Sequence, residues 1–276
     1  MIDTNKRSFK KTVIIIVYII LFFLLGYLAY SLFKTKPTCF DGVQNQKEEG
    51  IDCGGSCAVC VKEPEVVPIA IKEKTFVYGG QGKVDVMARI SNPNSRFGAD
   101  KFDYKFVLKG ADGSVLAERI GKDFILPAGS KYIVENNLET ANQPVSVEFS
   151  VSNSEWQEFS GFEEPQLNIY NKRYDLISSG VGFSKVYALM RNESPFDFNV
   201  VKIKVILRDA NQKPVAVNAT EMRTILSNEQ RDFTLIWQNS FPGDVLYVDV
   251  EAQANVFDSQ NFIKTYSPST KKFQRF

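Results

Sequence analysis

The chain has 276 residues, of which 44% are hydrophobic and 24% are charged, and its 33 Lys and Arg nearly balance its 32 Asp and Glu. The resulting net charge of +1 argues against a dedicated nucleic-acid surface, which normally shows a clustered basic excess. The count of zero for histidine removes the commonest general base, the Ser-His catalytic triads and every His-ligated metal site.

The first predicted element is a helix that is long enough to cross a membrane. Residues 13–33 carry no charge, and about 20 apolar residues in a helix span the ~30 Å hydrocarbon core of a bilayer. Positive charge near a span favours the cytoplasmic side, so the basic residues 1–12 predict a cytoplasmic N-terminus and an extracytoplasmic C-terminal region. The basic side chains are Lys6, Arg7, Lys10 and Lys11 before the span, against Lys34 and Lys36 after it.

A cleaved signal peptide is the alternative interpretation of this segment. The apolar part of a signal peptide is typically about 7–15 residues long and ends at small residues. Here the apolar run is longer, and bulky Tyr27, Leu28, Tyr30 and Leu32 occupy the candidate cleavage zone. We therefore predict a retained single-pass membrane anchor.

All four cysteines, Cys39, Cys53, Cys57 and Cys60, lie in one short segment after the span, within the predicted neck and linker at residues 34–68. An even number of cysteines on the exported side of a membrane predicts two disulfides, and three pairings are open. A four-thiolate zinc site is the alternative, but the spacing lacks two matched C-x-x-C arms and an oxidising compartment keeps thiolates poorly.

Oxygen-bearing side chains lie between these cysteines, and they suggest a second chemistry. Asp41, Asn45, Glu48 and Asp52 stand on a glycine-rich backbone, and such oxygen ligands suit Ca²⁺. Their spacing does not match the EF-hand loop, and Asp, Asn and Gly are also the residues that form tight turns. Turn formation is the favoured interpretation and calcium the alternative. We assign no other cofactor.

The segment between Cys39 and Cys60 follows the pattern C-x-D-G-x-x-N-x-x-E-x-x-x-D-C-G-G-x-C-x-x-C. This pattern resembles a cysteine-rich motif that recurs in bacterial surface proteins, next to stalks or repeat modules. The resemblance implies a cell-surface context and no activity.

Strand patterns dominate the chain after a short proline-containing spacer at residues 61–68. Apolar and polar residues alternate, so each strand has one apolar face. The Gly-rich segment at residues 79–82 and the Asp112-Gly113 pair are hairpin turn signals. The inward-facing residues include Val84, Val86, Ala88 and Ile90, and then Phe102, Tyr104, Phe106 and Leu108.

The pattern returns about 100 residues further on. Residues 89–94 correspond to residues 189–194, and residues 105–112 correspond to residues 204–211. Short alternating strands without helical partners predict two tandem immunoglobulin-like β-sandwiches, at residues 69–160 and 161–258. The predicted fold class is therefore mainly β, with an N-terminal transmembrane helix and a small disulfide-rich segment.

The central strands of the two copies, at residues 104–113 and 201–209, resemble those of the sandwich modules named FxLYD. The similarity covers most of residues 66–257, although the second copy lacks the Asp-Gly turn. What the resemblance implies is an extracytoplasmic binding or spacer module rather than an enzyme.

Other candidate chemistry is sparse in the sequence. There is no G-x-S-x-G elbow, so we predict no catalytic residues. The neighbouring Glu163 and Glu164 are interpreted as solvated linker charge. The tail at residues 259–276 is interpreted as a frayed terminus, with a docking peptide as the alternative.

These observations predict a non-catalytic, single-pass, membrane-anchored protein that displays two β-sandwich modules for interaction with other envelope or surface proteins. An accessory subunit of an envelope machine, for example in secretion, division or pilus assembly, is the alternative. The expected partners are the membrane and other envelope or surface proteins, with no nucleic acid, and the sequence identifies no specific ligand.

Overall fold

A computed structural model of the chain describes residues 3–33, 38–45, 47–60, 65–159 and 164–263. The chain divides into two compact units, Met1–Glu65 and Val66–Phe276. Part of the predicted spacer, at residues 61–64, and most of the predicted tail, at residues 264–276, lie outside the described residues. The predicted fold class is confirmed, because strands predominate and the long helix is N-terminal.

The first unit begins with helix α1, Asp3–Phe33. Its 31 residues give a length of about 46 Å at 1.5 Å per residue. Between Phe9 and Ser31 every side chain is exposed, and this stretch is long and apolar enough to cross a membrane. An N-terminal signal sequence passes the same test, so by length and composition the helix is an anchor or a signal sequence.

The described residues of the second unit, 66–159 and 164–263, form twelve strands in four antiparallel sheets. The first six strands form the sheets β1-β2-β5 and β4-β3-β6, and the last six form β7-β8-β11 and β10-β9-β12. The two halves therefore share one topology, as the sequence repeat predicts. The strands are β1 Ala70–Gly80, β2 Lys83–Ser91, β3 Phe97–Lys109, β4 Val115–Ile125, β5 Ser130–Glu139, β6 Ser146–Glu158, β7 Leu167–Leu176, β8 Ser184–Asn192, β9 Phe198–Arg208, β10 Pro214–Ile225, β11 Gln230–Trp237 and β12 Tyr247–Gln253.

Each half is a sandwich with its own apolar core. We call strands β1–β6 the first sandwich and strands β7–β12 the second sandwich. Alternate residues of the two facing sheets fill each core, as period-2 patterning requires. Phe106 and Ile133 lie at the centre of the first core, and Val205 and Val186 lie at the centre of the second.

A buried asparagine performs the same task in both sandwiches. The side-chain amide of Asn92 donates to the carbonyl oxygens of Phe97, at 2.6 Å, and Leu126, at 2.9 Å. Asn192 donates to the corresponding carbonyls of Phe196, at 2.6 Å, and Leu226, at 3.1 Å. Each asparagine thus ties the end of one strand to a distant turn and satisfies buried backbone acceptors. Asn92 and Asn192 are also equivalent positions in the 100-residue repeat of the sequence.

The turn predictions are confirmed, and the structure contains strands that the sequence patterns did not predict. The predicted turn at residues 79–82 includes the end of β1 and the two residues, 81 and 82, that join β1 to β2. The Asp112-Gly113 pair lies in the turn between β3 and β4, with Gly113 at φ 79°. The sequence patterns did not predict β1, β7, β10 or β11. Of these, β7 has no buried residue and so lacks a regular apolar alternation.

Candidate functional site

The disulfide-rich segment forms a knot in which every cysteine is paired. Cys39 bonds to Cys57, with a Cα–Cα distance of 5.5 Å, and Cys53 bonds to Cys60, with a Cα–Cα distance of 4.8 Å. The structure thus selects one of the three pairings, first to third and second to fourth. The predicted disulfides are confirmed, and they leave no thiolate for the alternative zinc site.

The carboxylates of this knot are used to hold its loops. The Asp52 carboxylate accepts hydrogen bonds from the backbone amides of Asp41 and Gly42, each at 3.0 Å. The Asp41 carboxylate accepts from the amides of Thr38 and Val43, also at 3.0 Å. Hydrogen bonding, first of all from the Thr38 amide, lowers the pKa of Asp41 below its ordinary value.

Glu48 and Asn45 complete the set of residues for which calcium was the alternative. Glu48 is buried, and its carboxylate accepts from the backbone amides of Asn45, at 3.1 Å, and Asp52, at 3.3 Å. The structure therefore brings all four predicted residues together, in the arrangement that turn formation requires. The side-chain oxygen of Asn45 is buried without a hydrogen-bond partner among the described residues. Calcium binding stays the untested alternative.

The second site is a junction where the two sandwiches pack together. The outer face of sheet β1-β2-β5 lies against the outer face of sheet β10-β9-β12, around a small apolar cluster. Met87 from the first sandwich and Ile206 from the second are both fully buried there. The other members of the cluster are Val77, Tyr132, Val134 and Val217.

A buried carboxylate is the electrostatic centre of this junction. Asp123 is 6% exposed, and its oxygens lie 3.0 Å from the ammonium group of Lys131, 3.6 Å from that of Lys204 and 3.9 Å from that of Lys202. Burial by itself would raise the pKa of Asp123, but the three ammonium groups outweigh burial and hold the pKa well below its usual range. The carboxylate of the first sandwich is therefore ionised and faces two lysines of the second.

The two most buried lysines are also held by backbone oxygens. Lys131 donates to the carbonyl of Phe124, at 2.8 Å, and its ammonium group lies 3.8 Å from the centre of the Phe124 ring. Burial lowers the pKa of Lys131 to about 8. Lys204, from the second sandwich, donates to the carbonyl of Tyr132 in the first. Each buried charge thus has both an ionic and a hydrogen-bonding partner, which burial demands.

Arg208 is the centre of a second charged group at the same junction. Its guanidinium donates two hydrogen bonds to the Glu73 carboxylate, at 3.0 and 2.8 Å, and one to Asp249, at 2.7 Å. The hydrogen bonds to Glu73 are the main reason that the pKa of Arg208 is raised. Glu251, on the same strand as Asp249, accepts from the backbone amide of Tyr132 at 3.1 Å.

A polar groove follows the edge of the junction. It consists of two adjoining cavities of about 300 and 520 Å³, and Lys122, Asp123 and Lys202 line both of them. The larger cavity is lined by three lysines and three aspartates, so its wall has no net charge. Among the other residues considered in the sequence, Glu164 is exposed, and Glu163 lies outside the described residues.

No family model matches this chain, and no curated protein matches it. Among solved structures, the chain is similar to red sea bream transglutaminase, with 13% sequence identity and a TM-score of 0.22. The similarity covers 69% of this chain and 31% of that protein, so the chain matches about a third of its length. A likeness of this strength transfers neither a family nor an activity. The resemblances to the bacterial cysteine-rich motif and to FxLYD modules stay predictions.

Proposed function

We propose that the chain is a non-catalytic, single-pass membrane protein that presents the knot and the joined sandwiches in the extracytoplasmic space, where they bind other envelope or surface proteins. The observation that carries the proposal is helix α1, whose apolar stretch Phe9–Ser31 is covered by no other part of the described chain. Leaving so many apolar side chains in water is unfavourable, and a bilayer is the solvent that suits them.

Two independent features support the orientation. The basic side chains before the span favour a cytoplasmic N-terminus. The two disulfides between Cys39 and Cys60 favour an oxidising compartment for everything after the span. Both features put the knot and the sandwiches on the same side of the membrane.

The junction supports a role in presentation. Its apolar cluster and its paired charges join two modules that would otherwise be linked by chain alone, so the pair is suited to hold binding surfaces at a constant separation. The most buried charged side chains, including Asp123, Lys131 and Arg208, are engaged in contacts between or within the sandwiches. Together with the lack of histidine, this use of the charges supports a non-catalytic role.

The anchor and its orientation are tested together in membranes from expressing cells. We expect the full chain to stay in the membrane after alkaline carbonate extraction. On intact cells, a membrane-impermeant maleimide is expected to label the four cysteines only after a reductant has been added. Release by carbonate would contradict a retained anchor, and four free thiols that are shielded on the cytosolic side would contradict the orientation.

A pull-down after membrane solubilisation tests the kind of partner. Recovery of surface or envelope proteins that depend on the sandwiches would support display of a binding module. Stable recovery of integral-membrane chains would instead favour the accessory subunit of an envelope machine.

A further inference from the structure

We propose that the disulfide knot rests on the bilayer surface, with its exposed apolar side chains in the headgroup region. This inference depends on the retained anchor of the proposed function. Four large apolar side chains of the knot point into solvent: Phe40 is 94% exposed, Val59 86%, Ile51 63% and Val43 60%. These four side chains lie within 20 residues of one another in the sequence, and together they are suited to an apolar contact.

The covalent links of the knot hold the two most exposed side chains in place. Phe40 directly follows Cys39, whose disulfide partner is Cys57. Val59 lies between Cys57 and Cys60, both of which are disulfide-bonded. Phe40 and Val59 are therefore on neighbouring loops that a disulfide joins, and little conformational entropy is lost when they bind.

Hydrogen bonds hold the backbone segments that carry Ile51 and Val43 to the same loops. The amides of Asp41 and Gly42 donate to the carboxylate of Asp52, which follows Ile51. The amide of Val43 donates to Asp41 within the same turn. The apolar side chains are thus carried by loops that are cross-linked to one another rather than by separate mobile segments.

The length of the chain indicates what covers this surface. Helix α1 ends at Phe33, and Cys39 follows after five intervening residues. At about 3.3–3.6 Å per residue, six steps span at most ~20 Å. The headgroup region is only about 5–8 Å thick on each side of the hydrocarbon core. An anchored chain therefore keeps the start of the knot within ~20 Å of the end of the helix, within reach of the interface, to which apolar and aromatic side chains bind favourably.

The charges of the knot indicate whether apolar insertion or electrostatic attraction drives its contact with the bilayer. The knot contains four acidic residues, Asp41, Glu48, Glu49 and Asp52, against the single basic residue Lys47. Anionic lipids would repel this net negative charge, so electrostatic attraction does not drive the contact. We therefore expect insertion of apolar side chains, which also occurs in zwitterionic phosphatidylcholine and changes little with salt.

The test uses the full chain in phosphatidylcholine nanodiscs, with tryptophan placed at the knot by Phe40→Trp. The emission of the introduced indole is obtained by subtracting the spectrum of the unsubstituted chain, which contains Trp156 and Trp237. With brominated lipids, whose bromines quench only nearby indoles, we expect loss of the added emission. A second variant, Val59→Trp, is expected to behave in the same way and protects the test against misfolding of the first.

The matched control is Val181→Trp, at an exposed apolar position of the second sandwich. We expect brominated lipids to leave its emission unchanged, and equal quenching at all three positions would overturn the inference. Unquenched emission at both knot positions in a chain that stays in the nanodisc would overturn it too, and a blue shift there would indicate a protein partner or a second copy instead. Loss of the chain from the nanodisc would refute the anchor itself, which is a different failure.

Discussion

Neutralising Asp123 tests whether the two sandwiches behave as one body. The Asp123→Asn substitution keeps the shape of the side chain but removes the charge that faces Lys131, Lys202 and Lys204. Lys131 is 1% exposed and Lys204 is 9% exposed, so water in the adjoining groove is a poor replacement for the lost carboxylate. Removing one partner of a buried ion pair typically costs about 3–5 kcal/mol. In a domain of 150–250 residues this corresponds to a fall in Tm of about 6–20 °C.

Each sandwich carries one tryptophan, and this provides the assay. Trp156 lies on β6 of the first sandwich, and Trp237 lies on β11 of the second, with its indole donating to the carbonyl of Val217 at 3.2 Å. In a Trp156→Phe background, thermal unfolding followed by fluorescence therefore reports on the second sandwich alone. We expect Asp123→Asn, a change in the first sandwich, to lower the transition that Trp237 reports.

The matched control is Glu155→Gln, which removes an exposed ion pair between Glu155 and Lys101 at 2.9 Å. Exposed pairs contribute about 0–1 kcal/mol, so its Tm is expected to change little. The reciprocal Trp237→Phe background reports on Trp156 in the first sandwich. If Asp123→Asn lowers the transition in that background but not in the Trp156→Phe background, the sandwiches unfold independently and the junction does not couple them. An equally small effect of both substitutions would refute the buried-charge reasoning.

Three further predictions concern the repeat, the knot and acid stability. Asn92→Ala and Asn192→Ala should lower the free energy of unfolding by similar amounts in denaturant titrations, about 1–3 kcal/mol for each buried group left unpaired; a large effect of only one would contradict the shared role. The Cys39→Ser, Cys57→Ser double variant removes a disulfide that closes a loop with a sequence separation of 18 and stabilises the knot by about 3 kcal/mol. Hydrogen exchange in the knot should become faster, whereas the Tm of the sandwiches should not change because they form a separate unit. The pKa of Asp123 in the folded chain lies below its unfolded value of about 4, so the ionised carboxylate stabilises the fold above pH 4 and this contribution is lost as pH falls. The free energy of unfolding should therefore fall less steeply between about pH 4 and 2 in Asp123→Asn than in the unsubstituted chain.

The sequence predicted the residues of the knot but not their connections. Clustering of four cysteines between residues 39 and 60 was enough to predict disulfides, because no other cysteine exists in the chain. The pairing of Cys39 with Cys57 depends on which loops meet, and the spacing is equally suited to other pairings. The roles of Asp41 and Asp52 as acceptors for backbone amides also required the structure.

The junction had no signal in the sequence. In β2, Val86 and Met87 are both fully buried, although alternation places them on opposite faces of the strand. Lys204 occupies a position that alternation assigns to the outer face of β9, and outer lysines are ordinarily solvated. Lys131 pairs with Ile90 on the inner face of its sheet, where alternation favours an apolar residue. The sequence pattern therefore gives the faces of Met87 and Lys204 but not their buried environment.

The sequence by itself determined the apolar span, the segment with the disulfides, the alternating strands and the two-fold repetition of the sandwich. These features are local, since each follows from composition or from a period of a few residues. Tertiary structure alone decided which cysteines pair and which sheet covers the outer faces of β2 and β9. The physical reason is that periodicity specifies the direction of a side chain, whereas burial and pKa depend on what lies beyond it, such as Asp123 beside Lys204.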